Sequence, residues 1–381
     1  MKIYNTLSQK KENFVPLHKD KILMYVCGIT PYDTTHLGHA FVYNFFDVFK
    51  RYLEYKNYHV IYTQNVTDID DDILLRAKRD NEDWKELGNF WTEKFLNDCK
   101  RLNILKPDFY VKATDSIDRI IKITKVLLEK NHAYEVDGTV FFSVDSFSEY
   151  GKLSRLSTSE MITLSLERGA NPNDTRKKNP LDFILWQKSL PEQPFWDSPF
   201  GKGRPGWHIE CSSMVYDTLG SQIDVHGGGF DLIYPHHESE IAQSESYTDK
   251  KPFVTYWMHV GMLSYKGEKM SKSLGNLVLI SDLLKTYSPA AIRWLLLSHH
   301  YRDAWEYTEK EAKRAEQELE NLQITNLKPT NKDSSKIMKQ FETYMENDFN
   351  TPEVLKLIIS ASKDTDNQQV IINMLSILGI T

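Results

Sequence analysis

Two short runs hold residue types that suit a phosphate ligand: His36-Leu-Gly-His39 and Lys269-Met-Ser-Lys-Ser273. Two histidines three apart share one helix face and can donate hydrogen bonds to an anion. Gly38 between them lets a ligand approach the backbone closely. The first turn of a helix adds N–H groups and a partial positive charge. The lysine run is bounded by Gly267 and Gly275, so Lys269 and Lys272 sit in a loop able to close over a nucleotide. Two lysines there could neutralise charge that builds on a phosphoryl group. Alone, each run is a weak signal. The first also reads as a polar helix start, and the second as a solvated basic loop.

A second constellation is suited to a metal. Cys27, Cys211, His236 and Glu240 offer two thiolates, an imidazole and a carboxylate, a set that suits zinc. If Pro235 opens a helix, His236 and Glu240 lie four apart on the same side. The four come from three separate segments. Spacing alone leaves open that the cysteines are small buried hydrophobes and that the His-His-Glu run is only polar.

These residues need a scaffold, and the pattern around them supplies one. Lys21 to Cys27 is short, apolar and followed by Gly28, which reads as a buried strand. From Gly38 to Tyr55 the residues Val42, Phe45, Phe46, Phe49 and Leu53 recur at helical spacing. His59 to Thr63 reads as a second strand. Strand, helix, strand predicts a βαβ unit and a parallel sheet. Ile223 to His226 and Trp257 to Val260 read as later strands of that sheet. The middle, about 110–200, reads as an irregular insertion between two halves of the sheet. The two phosphate-handling runs then stand in order on opposite sides of it. From Tyr301 onward the pattern is helical. Thr308 and Glu311 pair as a capping box, and Ala312, Ala315, Leu319 and Leu322 line one face. After a polar linker, Thr351 is expected as cap and Pro352 as first residue of a further helix.

Bulk composition sets limits. A length of 381 residues implies two or three domains, expected at 1–300 and 301–381. Hydrophobic residues at 40% and charged residues at 26% belong to a globular chain. The net charge of -6 gives no support to nucleic-acid binding through bulk charge. Three cysteines, including Cys99, do not make a disulfide framework and point to a reducing compartment. No apolar stretch suits a signal peptide or a membrane span, so the cytoplasm is the expected location. A Walker-type glycine loop is absent, as is a G-x-G-x-x-G after the first strand, which disfavours P-loop kinases and dinucleotide enzymes.

Taken together, HLGH and KMSKS resemble the two signatures of the class I aminoacyl-tRNA synthetases. Further segments resemble the cysteinyl-tRNA synthetases: Met24 to Thr30, Asn65 to Asp71, Gly203 to Cys211, His226 to Gly229 and Pro235 to Glu238. The resemblance covers essentially the whole chain. It implies a Rossmann-like α/β catalytic domain with an insertion, followed by a helical bundle. It implies that Cys27, Cys211, His236 and Glu240 hold one zinc ion. Thr67 and Trp207 would line the cysteine pocket, and His36, Gly38, His39, Gly229 and Asp231 would meet ATP with its magnesium. Lys269 and Lys272 would act during adenylate formation. The selectivity has a chemical reason. An apolar pocket separates cysteine from its near-isostere serine by only about a hundredfold, whereas zinc binds soft thiolate well and neutral hydroxyl poorly. The acceptor implied is tRNA(Cys). A short form of the architecture also resembles the mycothiol cysteine ligases, whose acceptor is the amine of glucosaminyl-inositol. The chain ends soon after Leu375 to Gly379, and no anticodon-reading module is expected within it. An inactive paralogue that binds only RNA or a protein is a third reading, disfavoured by intact HLGH, KMSKS and all four candidate ligands.

Overall fold

The computed structural model describes residues 1–270, 275–323, 327–328 and 335–380. The chain opens with a hairpin of β1 (Lys2–Asn5) and β2 (Lys10–Asn13). In β3 (Lys21–Ile29) every residue from Ile22 to Cys27 is buried. A continuous buried run, without alternation, is what a strand covered on both faces requires. The strand extends two residues past the expected end at Cys27. Helix α1 (Leu37–Tyr55) buries Phe45, Phe46, Phe49 and Leu53, as their spacing predicts. Then come β4 (His59–Val66), α2 (Asp71–Asp80), α3 (Trp84–Arg101), β5 (Phe109–Lys112) and α4 (Ile117–Glu129).

The middle of the chain, expected to be irregular, carries a four-stranded antiparallel sheet. Its strands are β6 (Ala133–Val136), β7 (Thr139–Phe142), β8 (Phe183–Lys188) and β9 (Gly203–Pro205), and α5 (Thr158–Glu167) lies between β7 and β8. The strands are short, and all four residues of β7 are buried. No polar alternation builds up for a sequence pattern to reveal.

Helix α6 (Trp207–Thr218), β10 (Ile223–Gly229), α7 (Glu238–Thr248) and β11 (Val254–Val260) follow. The main sheet runs β11-β10-β3-β4-β5, and every pairing in it is parallel. The chain grows outward from β3 through β4 and β5, then returns to the other side of β3 with β10. That reversal opens a crevice beyond the carboxyl ends of β3 and β10, where ligands of open α/β sheets bind. Helix α1 lies directly on β10: a Cβ at Gly227 would stand 2.0 Å from the Phe46 ring.

A small sheet comes next, formed by β12 (Leu263–Tyr265), β13 (Glu268–Lys269) and the later β14 (Trp305–Glu306). The remaining helices are α8 (Ile280–Thr286), α9 (Pro289–Leu297), α10 (Glu309–Leu322), α11 (Ser335–Met345), α12 (Thr351–Ala361) and α13 (Gln368–Ile377). Thr308 caps α10, whose buried residues are Ala312, Ala315, Leu319 and Leu322. Helix α12 starts one residue earlier than expected. Asn350 takes the cap position, Thr351 is the first helical residue and Pro352 the second. The shift costs nothing, because the amide that proline lacks is one of those left unbonded in a first turn.

One ion pair ties the bundle to the main sheet. Arg293 of α9 is 1% exposed. It donates to the Asp47 carboxylate of α1 at 2.5 Å and to the carbonyls of Leu102 and Leu378. Asp47→Asn leaves this guanidinium without its counter-charge. The variant should lose about 3–5 kcal/mol of unfolding free energy, read from the midpoint of a urea titration.

Candidate active site and metal centre

The candidate side chains come from the carboxyl-end regions of β3, β4 and β10, from the openings of α1 and α6, and from the turn into α7 with that helix's first residues. At the end of β3 the pairing with β4 shifts register between Val26 and Ile29. The irregularity falls on Cys27 and Gly28. Glycine is needed there, since a Cβ would lie 1.7 Å from the Asn65 carbonyl oxygen. Asn65 then holds the turn from both sides: its Oδ1 accepts from the Gly28 amide at 2.6 Å, and its Nδ2 donates to Thr67 Oγ1 at 3.1 Å.

His36 is the cap of α1. Its Nδ1 accepts from the amides of Gly38 at 3.1 Å and His39 at 3.4 Å. With Nδ1 accepting, the neutral ring carries its proton on Nε2, which can donate to an anion. The His36 and His39 rings stack at 3.7 Å. The segment after the lysine run is fastened to this turn: the Leu37 amide donates to the Val278 carbonyl at 2.8 Å, and the Ile280 amide to Thr35 at 3.1 Å. The sequence places the two runs on opposite sides of the sheet. Instead the chain around the lysine run meets the HLGH turn, because β12 and β13 fold back after β11. Lys269 contributes backbone to β13, while its side chain and Lys272 lie outside the described residues.

Cys211 rises from the second turn of α6. A kinked turn from Ile233 to His237 leads into α7 and presents His236 and Glu240 together. His236 Nε2 lies 3.3 Å from Cys211 Sγ and 3.2 Å from Glu240 Oε1. Cys27 Sγ lies 4.0 Å from the same Glu240 oxygen. All four ligand atoms fall within 4.8 Å of one another, and all four residues are buried. The donor set fits a soft or borderline divalent cation and does not fit magnesium or calcium, which prefer oxygen ligands.

Further histidines surround these donors. His226 Nε2 is 3.1 Å from Glu240 Oε2, and His237 Nε2 is 3.2 Å from Cys27 Sγ. His237 Nδ1 meets His259 Nε2 at 2.8 Å, and His259 Nδ1 meets Thr6 Oγ1 of the N-terminal hairpin at 2.8 Å. Below His236 lies His208, with the two Nδ1 atoms 2.9 Å apart. Such partners orient ligating side chains. Sequence reasoning misses His208, His226, His237 and His259. The available signal is a histidine inside an otherwise apolar strand, in Ile223-Asp-Val-His226 and Tyr256-Trp-Met-His259.

Burial sets the protonation of the whole cluster. Desolvation lowers His226, His208 and His259 to about 3, and pushes His236 and His237 well down. These imidazoles are neutral and able to ligate. Burial raises the Cys27 thiol, with Cys211 adding to the effect, and raises the Glu240 carboxyl. Burial thus favours the protonated form of both in the absence of a cation.

One cavity of 510 Å³ gathers the candidates. Cys27, Cys211 and His236 line one end, with Thr67 and Trp207 beside them. His36, Gly38, His39, Gly229 and Asp231 line the other. The Trp207 ring stacks on His236 at 4.2 Å. Met270, which follows Lys269, reaches the same cavity. Glu240 sits behind His236, outside the lining.

Since burial favours the protonated forms of Cys27 and Glu240, loading a divalent cation displaces protons from the ligands. Cation affinity should therefore rise with pH. Calorimetric titration in buffers of different ionisation enthalpy should register net proton release. Equal heats in all buffers would contradict a protonated Cys27 and Glu240.

Residues 13–317 match the family described as tRNA synthetases class I (C) catalytic domain. The chain is 46% identical to a cysteine–tRNA ligase of Dehalococcoides mccartyi, covering 100% of this chain and 86% of that one. It is also 46% identical to the cysteine–tRNA ligase of Legionella pneumophila, over 96% of this chain and 80% of that one. A solved Mycobacterium tuberculosis methionyl-tRNA synthetase has a similar fold, with TM-score 0.64 and 14% identity over 94% of this chain and 90% of that one. The parallel sheet, its carboxyl-end crevice and these matches along the chain place it in the family of class I (C) tRNA synthetases.

Proposed function

We propose that this protein activates L-cysteine with ATP and transfers it to the 3′ end of tRNA(Cys). The observation that carries the reading is the single cavity with a thiol-rich donor set at one end and the HLGH turn at the other. In the first half-reaction the cysteine carboxylate attacks the α-phosphate of ATP. Cysteinyl-adenylate forms and pyrophosphate leaves. His36 Nε2, His39 and the first turn of α1 would hold the phosphates, drawing on the positive end of the helix. Lys269 and Lys272 would offset charge on the departing pyrophosphate. ATP enters as its magnesium complex. Thr67 and Trp207 would fix the amino acid so that its carboxylate faces the phosphate, which removes orientational entropy from the barrier. No enzyme side chain becomes acylated.

Cys27, Cys211, His236 and Glu240 would hold zinc, whose chemistry here is to bind the substrate's sulfur as thiolate and so reject serine. Around it, the chain's own work is to keep water away from the donors and to hold four neutral imidazoles beneath them. In the second half-reaction a ribose hydroxyl at the tRNA 3′ end displaces AMP. An amino-sugar acceptor is disfavoured, because the relatives that match along nearly the whole chain are tRNA ligases.

Pyrophosphate exchange that depends on cysteine, followed by charging of purified tRNA(Cys), tests the reading. Label from cysteine arriving on glucosaminyl-inositol alone would reverse the choice of acceptor. Cys211→Ser should lower bound zinc and cysteine activation together, as metal analysis and exchange kinetics on one preparation would reveal. Normal activation by zinc-free protein would remove the metal from the scheme. Lys272→Ala should slow adenylate formation by about 10²-fold, with ATP affinity nearly unchanged. Equal loss of both in single-turnover kinetics would make Lys272 a plain binding residue.

A further inference from the structure

A second cavity, of 410 Å³, adjoins the first. It lies between the N-terminal hairpin, α5 and the turn after β10. Asp231 and Met262 line both cavities and form their common wall. Its character differs from that of the first. Tyr4 and Phe230 bring aromatic rings, Arg168 and Arg302 bring cations, and Gln9 and Ser154 bring polar ends.

Phe230 is 56% exposed, a large apolar ring left in solvent beside a concave surface. The two arginines are held in place by carboxylates. Arg168 meets Asp231 at 3.3 Å, and Arg302 meets Asp348 at 2.7 Å. Arg302 also lies over the Tyr4 ring at 4.5 Å. A guanidinium has five N–H donors, so these pairings leave donors over. Both side chains stay about three-tenths exposed. Fixed arginines with spare donors suit a phosphate. The exposed Phe230 ring next to them suits an unstacked base. The volume accommodates one nucleotide.

We propose that this cavity holds the nucleotide that precedes the 3′-terminal adenosine of tRNA, with its base against Phe230 and its phosphate toward Arg168 and Arg302. The inference rests on the tRNA-ligase reading. In that reading the terminal ribose must enter the first cavity to reach the adenylate. The residue before it then lies one backbone step away, across the Asp231–Met262 wall. The second cavity shares only Asp231 and Met262 with the first, where the proposed function places ATP and cysteine. Single-stranded RNA ends are recognised by this combination of stacking and backbone charge.

The test separates the two half-reactions. Phe230→Ala should leave cysteine-dependent pyrophosphate exchange at the wild-type rate, because that step uses no tRNA. The same variant should raise KM for tRNA(Cys) in charging by about tenfold. A tRNA(Cys) lacking the base at its penultimate position should show a similar penalty with the wild-type enzyme and little further penalty with Phe230→Ala. Such non-additivity marks a shared contact. Unchanged KM in Phe230→Ala would overturn the assignment, as would independent, multiplying penalties from the two changes. Absence of exchange in the wild-type protein would instead bring down the ligase reading, and the cavity's assignment with it.

Discussion

Two thiols, an imidazole and a carboxyl meet in a space that excludes water, and none of them is close in sequence to all the others. Burying polar groups costs free energy unless each finds a partner. Here partners are supplied in layers. Glu240 spans Cys27, His236 and His226, and His237 links Cys27 to His259. The arrangement holds only if β3, α6 and α7 converge at one point. The parallel sheet enforces that convergence by placing β10 against β3. The bulge at Gly28, the kinked entry into α7 and the burial of Trp257 against His226 at 4.6 Å all serve it.

Nucleotide handling rests on the same geometry. The HLGH turn follows β3 and the Gly229–Asp231 turn follows β10, so both stand at the point where the order of strands reverses. The candidate amino-acid and phosphate subsites are therefore two consequences of one topological event. The bundle joins α1 through Asp47 and Arg293, one residue along the helix from the Phe46 contact with β10.

Much of this was legible in the sequence. The fully buried strands announce themselves by unbroken apolar runs, and α1 by its aromatic spacing. The four ligands are readable as a set only through resemblance, because their separations follow no local period. What stayed hidden has physical reasons. In the sheet of β6 to β9, the pairing of β6 with β7 through the two-residue turn Asp137-Gly138 is a local hairpin signal that sequence reading passed over, whereas β8 lies far along the chain from β7 and its pairing leaves no local trace. The lower histidines carry no motif of their own: His226 and His259 look like single polar interruptions in strands, and only the fold brings them under Glu240 and His237. The meeting of HLGH with Val278 and Leu279 depends on a chain reversal through β12 and β13 that no local pattern encodes.

The pairing of Met24 with Val225 also bears on how the protein comes to be. About two hundred residues must leave the ribosome before β3 gains its central neighbour, a loop-closure delay typical of parallel sheets. Until then Cys27 has no Cys211 or His236 beside it, and one side of β3 is an open edge prone to stray association. The early half of the chain thus presents that open edge throughout its synthesis. Cys27 and Cys211 come together only once β10 has taken its place beside β3.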